Sequence, residues 1–276
     1  MDEKFYSNIK VVDSIKKDGF TVEIVEYNHL KGSKDASLAE DLFYIQNAGM
    51  SLKMVKVTLK NSGLVTESGA LYFHKGNIEA VSNIGGVGGL AKKLIKSKLS
   101  NESTFKPLYK GTGEIFLEPS FSHYIIMNLE NESIVVDKGI FYCCEEGMEI
   151  GVATQKNLSS GLLGGEGWFQ TQISGTGIVV LEIPVPMEEV LKYELDNERM
   201  QVDGNFALLR SGSVNFSVQR SSKQLLGSMT SGEGLLHTFE GTGQVWLAPT
   251  QPVYNLLKHR GIPQMGTAGK NINNST

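Results

Sequence analysis

Three segments of this chain repeat one pattern, and that repetition limits the possible fold more than any other feature. They are Gly111-Thr112-Gly113-Glu114-Ile115-Phe116-Leu117, Gly175-Thr176-Gly177-Ile178-Val179-Val180-Leu181 and Gly241-Thr242-Gly243-Gln244-Val245-Trp246-Leu247. Their first glycines stand 64 and then 66 residues apart. A second element recurs in phase: Val65 to Phe73 parallels Val136 to Tyr142 and Val202 to Leu209, and a glycine follows each at Gly76, Gly147 and Gly212. Equal spacing of this kind marks a structural repeat. Each unit carries an apolar face that it cannot bury alone, so the three must pack together.

The pieces between glycines are short runs rich in Val, Ile, Phe, Tyr and Thr, bounded by turn residues, and they read as strands. Alternation along Met54 to Lys60 and Val214 to Val218 predicts strands with one buried and one wet face. Each unit is expected to run as a strand, a glycine turn, a return strand, a loop carrying a glutamate, then a strand into Gly-Thr-Gly and another out. Paired glycines flanking Thr suit a tight turn or bulge between strands, because glycine takes positive φ without steric cost. From the following glycine to Gly-Thr-Gly is 35, 28 and 29 residues, so the first unit has an insertion of about seven. That insertion holds the one convincing helix, Leu90 to Leu99. The expected fold is therefore all-β: a sandwich or prism of three internal repeats with one short helix inserted in the first. The repeats cover about 45–120, 121–185 and 186–250. An N-terminal segment, 1–44, adds edge strands such as Thr21 to Tyr27, and a tail, 251–276, reads as disordered from Gly261.

Composition narrows the functional classes. At 276 residues and 40% apolar content the chain can bury a core without disulfides or metals. A net charge of -4 and a pI near 5.8 give no long-range attraction to nucleic acid or anionic lipid. The N-terminus, MDEKFYSNIK, lacks the apolar stretch of a secretory leader. No run approaches the length of a membrane-spanning helix. Cys143 and Cys144 are the only cysteines and are adjacent, a spacing that disfavours a structural disulfide. Together these point to a reduced, cytoplasmic setting.

This arrangement resembles the altered-inheritance-of-mitochondria family, whose fold is similar to that of the tryptophan RNA-binding attenuation protein (TRAP). The resemblance lies in Val65 to Phe73, the Gly85–Gly89 cluster, and Ser231-Gly232-Glu233-Gly234-Leu235 leading into Gly241 to Leu247, and it spans roughly residues 45 to 250. It implies a TRAP-like β-sandwich and a homo-oligomer, a trimer being one form it could take. Bacterial members of that family are mostly uncharacterised, and eukaryotic ones are linked to mitochondrial inner-membrane organisation. The family supplies no catalytic residues to carry over.

Three polar features could carry chemistry. Glu102, Glu166 and Glu233 lie nine, nine and eight residues before their Gly-Thr-Gly segments. Pseudo-threefold packing could bring them onto a cation or cationic ligand; the simpler reading is that each accepts hydrogen bonds from its own glycine-rich turn. Lys92, Lys93 and Lys96 sit opposite or flanking Leu90, Ala91, Leu94 and Ile95, giving a basic amphipathic helix that could meet phosphates or an anionic membrane. The simpler reading there is a helix packed on the sheet with solvated lysines. Gly85 to Ala91 matches a dinucleotide-binding fingerprint only formally, since strands follow it and no βαβ unit is present. No cofactor is expected. Cys143 and Cys144, next to a strand, should point to opposite faces, one core and one partly exposed. The five histidines show no metal-ligand spacing, and no nucleophile elbow is present. The expected function is a non-enzymatic oligomeric scaffold or binding protein. The alternatives are peripheral membrane association through 85–99, and RNA binding by fold analogy alone, which the acidic balance opposes.

Overall fold

The computed structural model describes residues 7–81, 106–153, 170–220 and 235–260. Its strands form one connected antiparallel sheet system of 13 strands. Each repeat is built around a long strand paired with the strand that carries Gly-Thr-Gly. These pairs are β3 (Lys53–Thr66) with β5 (Leu108–Leu117), β6 (His123–Val136) with β9 (Thr171–Ile183), and β10 (Leu191–Asp203) with β13 (Leu235–Leu247). A return strand flanks the other side of the Gly-Thr-Gly strand. It is β4 (Leu71–Val81) in the first repeat, β7 (Phe141–Glu145) with β8 (Glu149–Val152) in the second, and β11 (Ala207–Ser211) with β12 (Asn215–Arg220) in the third. Before them, β1 (Ile9–Lys17) pairs with β2 (Phe20–Tyr27), which pairs with the first half of β3. Two exposed helices, α1 (Ala39–Asn47) and α2 (Gln251–Arg260), lie outside the repeats. The helix expected over 90–99 and the tail from Gly261 fall outside the described residues.

The Gly-Thr-Gly segments lie in the middle of continuous strands, which corrects the expectation of a turn or boundary there. The bulge is on the partner strand. Asn61, Asn131 and Asn197 each adopt left-handed φ of 58°, 55° and 54°, and the register with the Gly-Thr-Gly strand shifts at each. Asparagine is among the few non-glycine residues that tolerate this conformation. In all three repeats the asparagine amide donates to the threonine Oγ1: Asn61 to Thr112 at 3.0 Å, Asn131 to Thr176 at 2.9 Å, Asn197 to Thr242 at 3.0 Å. The glycines allow close strand crossing. A Cβ on Gly111, at φ 141°, would stand 1.9 Å from the Asn77 carbonyl oxygen on β4.

Repeats are joined by strand pairing. The end of β3 pairs with β7, Thr66 opposite Cys143, and the end of β6 pairs with β11, Val136 opposite Leu209. The apolar clusters follow the same joints. One combines Val22, Val57, Leu59 and Ile115 of the first sheet with Cys143, Ile178 and Val180 of the second repeat. Another combines Phe141, Val179, Leu181 and Ile183 of the second repeat with Leu209 and Trp246 of the third. The middle repeat is thus buried on both faces, which is why its Gly-Thr-Gly strand continues as the apolar run Ile178 to Leu181 while its counterparts begin Glu114 and Gln244.

Two threonine substitutions separate the roles of the same hydroxyl. Thr66 is fully buried and its Oγ1 has no hydrogen-bond partner, whereas the equivalent positions are Val136 and Val202. Thr66→Val should therefore raise stability by about 1 kcal/mol, because a buried unpaired hydroxyl is costly. Thr176→Val removes the acceptor for the Asn131 amide and should lower stability by about 1 kcal/mol. Thermal unfolding checks both: shifts of opposite sign are expected, of roughly 2–4 °C each.

Candidate binding groove on the first repeat

In the second and third repeats one sheet face is covered by the preceding repeat. Among the described residues the equivalent face of the first repeat has no such cover and forms a groove of about 290 Å³. Its floor is the strand series β1-β2-β3-β5-β4, fixed by the registers Val11 with Val25, Val25 with Met54, Lys56 with Phe116 and Phe116 with Phe73. Ile9, Val11, Val25, Tyr27 and Met54 form one apolar wall, and Phe73 and Phe116 form the other. The two phenyl rings stack with centroids 4.4 Å apart and planes 14° apart. Phe116, Met54 and Val25 are buried beneath, while Phe73 is 47% exposed at the rim.

One cation sits on this floor. Lys56 is buried, with its Nζ 2.8 Å from Glu114 Oε1 and 3.2 Å from Glu23 Oε2, and it lies 5.9 Å from the centre of the Phe116 ring. Burial pulls its ammonium down, but Glu114 and Glu23 outweigh that and hold it above its ordinary range. Lys75 and Glu114 complete the polar part of the lining. The groove combines a long apolar floor, a stacked aromatic pair, Lys75 and a buried lysine whose charge is met by two carboxylates, a mostly apolar lining that suits an amphipathic segment.

The repeat comparison shows how the groove is written in the sequence. The position of Lys56, five before the left-handed asparagine, is Ile126 in the second repeat and Lys192 in the third. The position of Phe116 is Val180 and Trp246, and Lys192 Nζ sits 4.0 Å from the Trp246 ring centre. Aligning the units on the asparagine would have exposed this lysine–aromatic pair. Alternation alone places Lys56 on the wet face of β3, whereas it is 4% exposed, because β2 and β5 bring Glu23 and Glu114 against it.

The residues singled out by sequence, Glu102, Glu166, Glu233, Lys92, Lys93 and Lys96, all lie outside the described residues, as does the Gly85–Gly89 cluster. Among the described residues no group of three acidic, histidine or cysteine side chains is placed to hold a metal ion. Nor is any helix there long and apolar enough to cross a membrane. Cys143 and Cys144 do face opposite clusters, but both are buried, which corrects the expectation of one exposed thiol. β7 is covered on both faces because its repeat is the middle one. Burial pushes both thiols up, Cys144 to about 12 with Glu145 adding to the effect. Both are therefore protonated at neutral pH and unsuited to nucleophilic chemistry. A thiol reagent at pH 8 should leave the native protein unlabelled and modify both cysteines only after unfolding, which mass spectrometry would count directly.

Comparison with known proteins agrees with this architecture. No curated protein matches the chain. Seven chains of solved structures do. One is the Streptococcus pyogenes protein SPYM3_0169, at 19% identity and a TM-score of 0.56, covering 76% of this chain and 94% of that one. At that identity the likeness concerns the fold. The profile of the mitochondrial biogenesis AIM24 family matches residues 44–250, a span that holds all three repeats together with the loops between them. The chain belongs to the mitochondrial biogenesis AIM24 family.

Proposed function

We propose that this chain is a non-catalytic binding protein, a scaffold that holds a protein partner by strand addition along β4, with the partner's apolar side chains in the first-repeat groove. The observation that carries this reading is the contrast between equivalent strands. Tyr142 and Cys143 on β7 are buried at 6% and 1% exposure, and Leu208 and Leu209 on β11 at 2% and 3%, each by pairing with the repeat before. Tyr72 and Phe73 on β4 are 56% and 47% exposed, and among the described residues β4 pairs with β5 alone. A free strand edge beside an apolar groove is the arrangement used for β-strand capture, in which main-chain hydrogen bonds give affinity and side-chain pockets give selectivity. The buried, protonated state of both thiols, with no nucleophile elbow or metal-ligand spacing in the sequence, supports a binding role over a catalytic one.

A photo-crosslinker at the rim tests this reading. With Phe73→p-benzoylphenylalanine in the full chain, irradiation in cells should give adducts with protein, and introducing Phe116→Asp on the groove floor should abolish them. Adducts with lipid or RNA would favour the two alternative roles. An absence of any adduct would overturn the reading.

A further inference from the structure

The return strands of the second and third repeats place one residue at the same register across the joint to the repeat before. It is Cys144, opposite Val65, on β7 and Arg210, opposite Val135, on β11. The fold buries this position. Cys144 lies within an apolar cluster, and Arg210 is 8% exposed. The Arg210 main chain is fixed on its other side too, since it stands opposite Val245 on β13. The third repeat thus puts a guanidinium where the second has a small, uncharged thiol. Burying a charge is costly unless an opposite charge meets it.

No such charge is supplied among the described residues. Arg210 Nη1 donates to the Val214 carbonyl at 2.9 Å and Nη2 reaches the Gln170 Oε1 at 3.5 Å. Nε is buried and donates to nothing. Burial alone acts on the guanidinium, drawing it down to about 10, so it keeps its charge at neutral pH. The contrast is with Lys56, the buried cation of the first repeat, which holds two carboxylates. The unpaired Nε and the weakly held Nη2 are the two donors on the side edge of the guanidinium, spaced to take both oxygens of one carboxylate. Beside this edge the surroundings are apolar. The guanidinium carbon lies 5.7 Å from the centre of the half-buried Phe216 ring, which packs against Phe239 at 5.2 Å and His237 at 5.4 Å.

We infer that Arg210 anchors a small-molecule site for a monocarboxylic acid, with the carboxylate side-on against Nε and Nη2 and a hydrocarbon tail toward Phe216. Charge decides the class of ligand. One guanidinium balances one carboxylate, whereas a phosphate dianion brings a second charge to a buried position. His237, behind Phe216, is held toward its neutral form by burial, with Asp203 opposing, and does not supply that second cation at neutral pH. The aromatic flank favours an acid with an apolar tail over acetate or chloride. These residues are distinct from those of the first-repeat groove, and the site does not depend on strand capture.

Thermal unfolding of the full chain with sodium hexanoate or sodium benzoate as the probe tests the assignment. Beyond half-saturation the wild-type Tm should rise by about 3 °C for each tenfold increase in probe. Arg210→Met should show no rise. Should that variant fail to fold, Arg210→Lys replaces it: it keeps the charge, lacks the side-on pair of donors, and should need about tenfold more probe or higher. Native mass spectrometry of the same samples shows any acid carried from the cell. A monocarboxylic acid retained by the wild type and missing from Arg210→Met would support the inference without added probe. Equal rises in wild type and Arg210→Met would overturn it, as would no rise in a sample free of bound acid. An Arg210-dependent rise with sodium phosphate or chloride but with neither acid would mean an adventitious ion only and overturn the ligand class. A wild type inert to both acids, whose response appears in Glu166→Gln or Glu233→Gln, would assign the position to a carboxylate of the chain itself and likewise overturn the inference.

Discussion

The hydrogen bond from a left-handed asparagine amide to a threonine hydroxyl is the constraint on which the rest of this structure depends. A bulge in a long strand inserts one residue and re-aims everything beyond it. Here each long strand lies along its own repeat, and in the first two repeats the part beyond the bulge also reaches the next repeat. The threonine fixes the bulge at one position, and the flanking glycines let the return strand cross where a Cβ would collide with backbone, as at Gly111. Moving the pin by one residue would turn Thr66 and its counterparts to the opposite face and break both internal joints.

This explains why the repeat was legible in the sequence and its mechanics were not. Gly-Thr-Gly stands out because three small residues interrupt apolar runs at equal spacing, and those same residues suggested a boundary. Glycine commonly ends a strand, but it also marks a close backbone approach. The sequence does not distinguish the two uses until the partner strand is known. The asparagines were present at a constant six-residue offset from Glu67, Asp137 and Asp203, but an asparagine within a strand pattern has no local signature when its partner lies 45 or more residues away. Helix α1 was missed for a related reason: its faces are exposed, with Phe43 and Tyr44 both outward, so no amphipathic period announces it.

The candidate groove depended still more on non-local contacts. Nothing near Lys56 in sequence indicates burial, since Met54 to Lys60 alternates as a half-wet strand should. Its environment is assembled by β2 and β5, which contribute Glu23 and Glu114 from opposite sides. What the sequence did contain was a difference between repeats. The middle unit carries Ile126 and Val180 where the outer units carry Lys56 with Phe116 and Lys192 with Trp246. The unit enclosed on both sides lacks the lysine–aromatic pair that both outer units carry.

That difference bears on how an open edge is kept from indiscriminate pairing. A flat apolar strand edge invites association with any extended chain, and proteins commonly oppose this with charge near the edge. β4 carries His74 and Lys75, and the floor behind it carries a buried lysine held by two carboxylates. An arriving strand must satisfy the main-chain register, place an apolar residue against Phe73, and leave the Lys56 ion pairs intact. Breaking a buried pair by displacing one partner costs about 3–5 kcal/mol, more than the 1.5–3 kcal/mol gained by burying a single aliphatic side chain. On the proposed strand-capture reading, the groove favours a segment whose side chains fit around the ion pairs and rejects one whose charge competes for Glu114 or Glu23; selectivity then comes from the cost of disturbing a polar centre within an apolar surface, and affinity from the apolar walls.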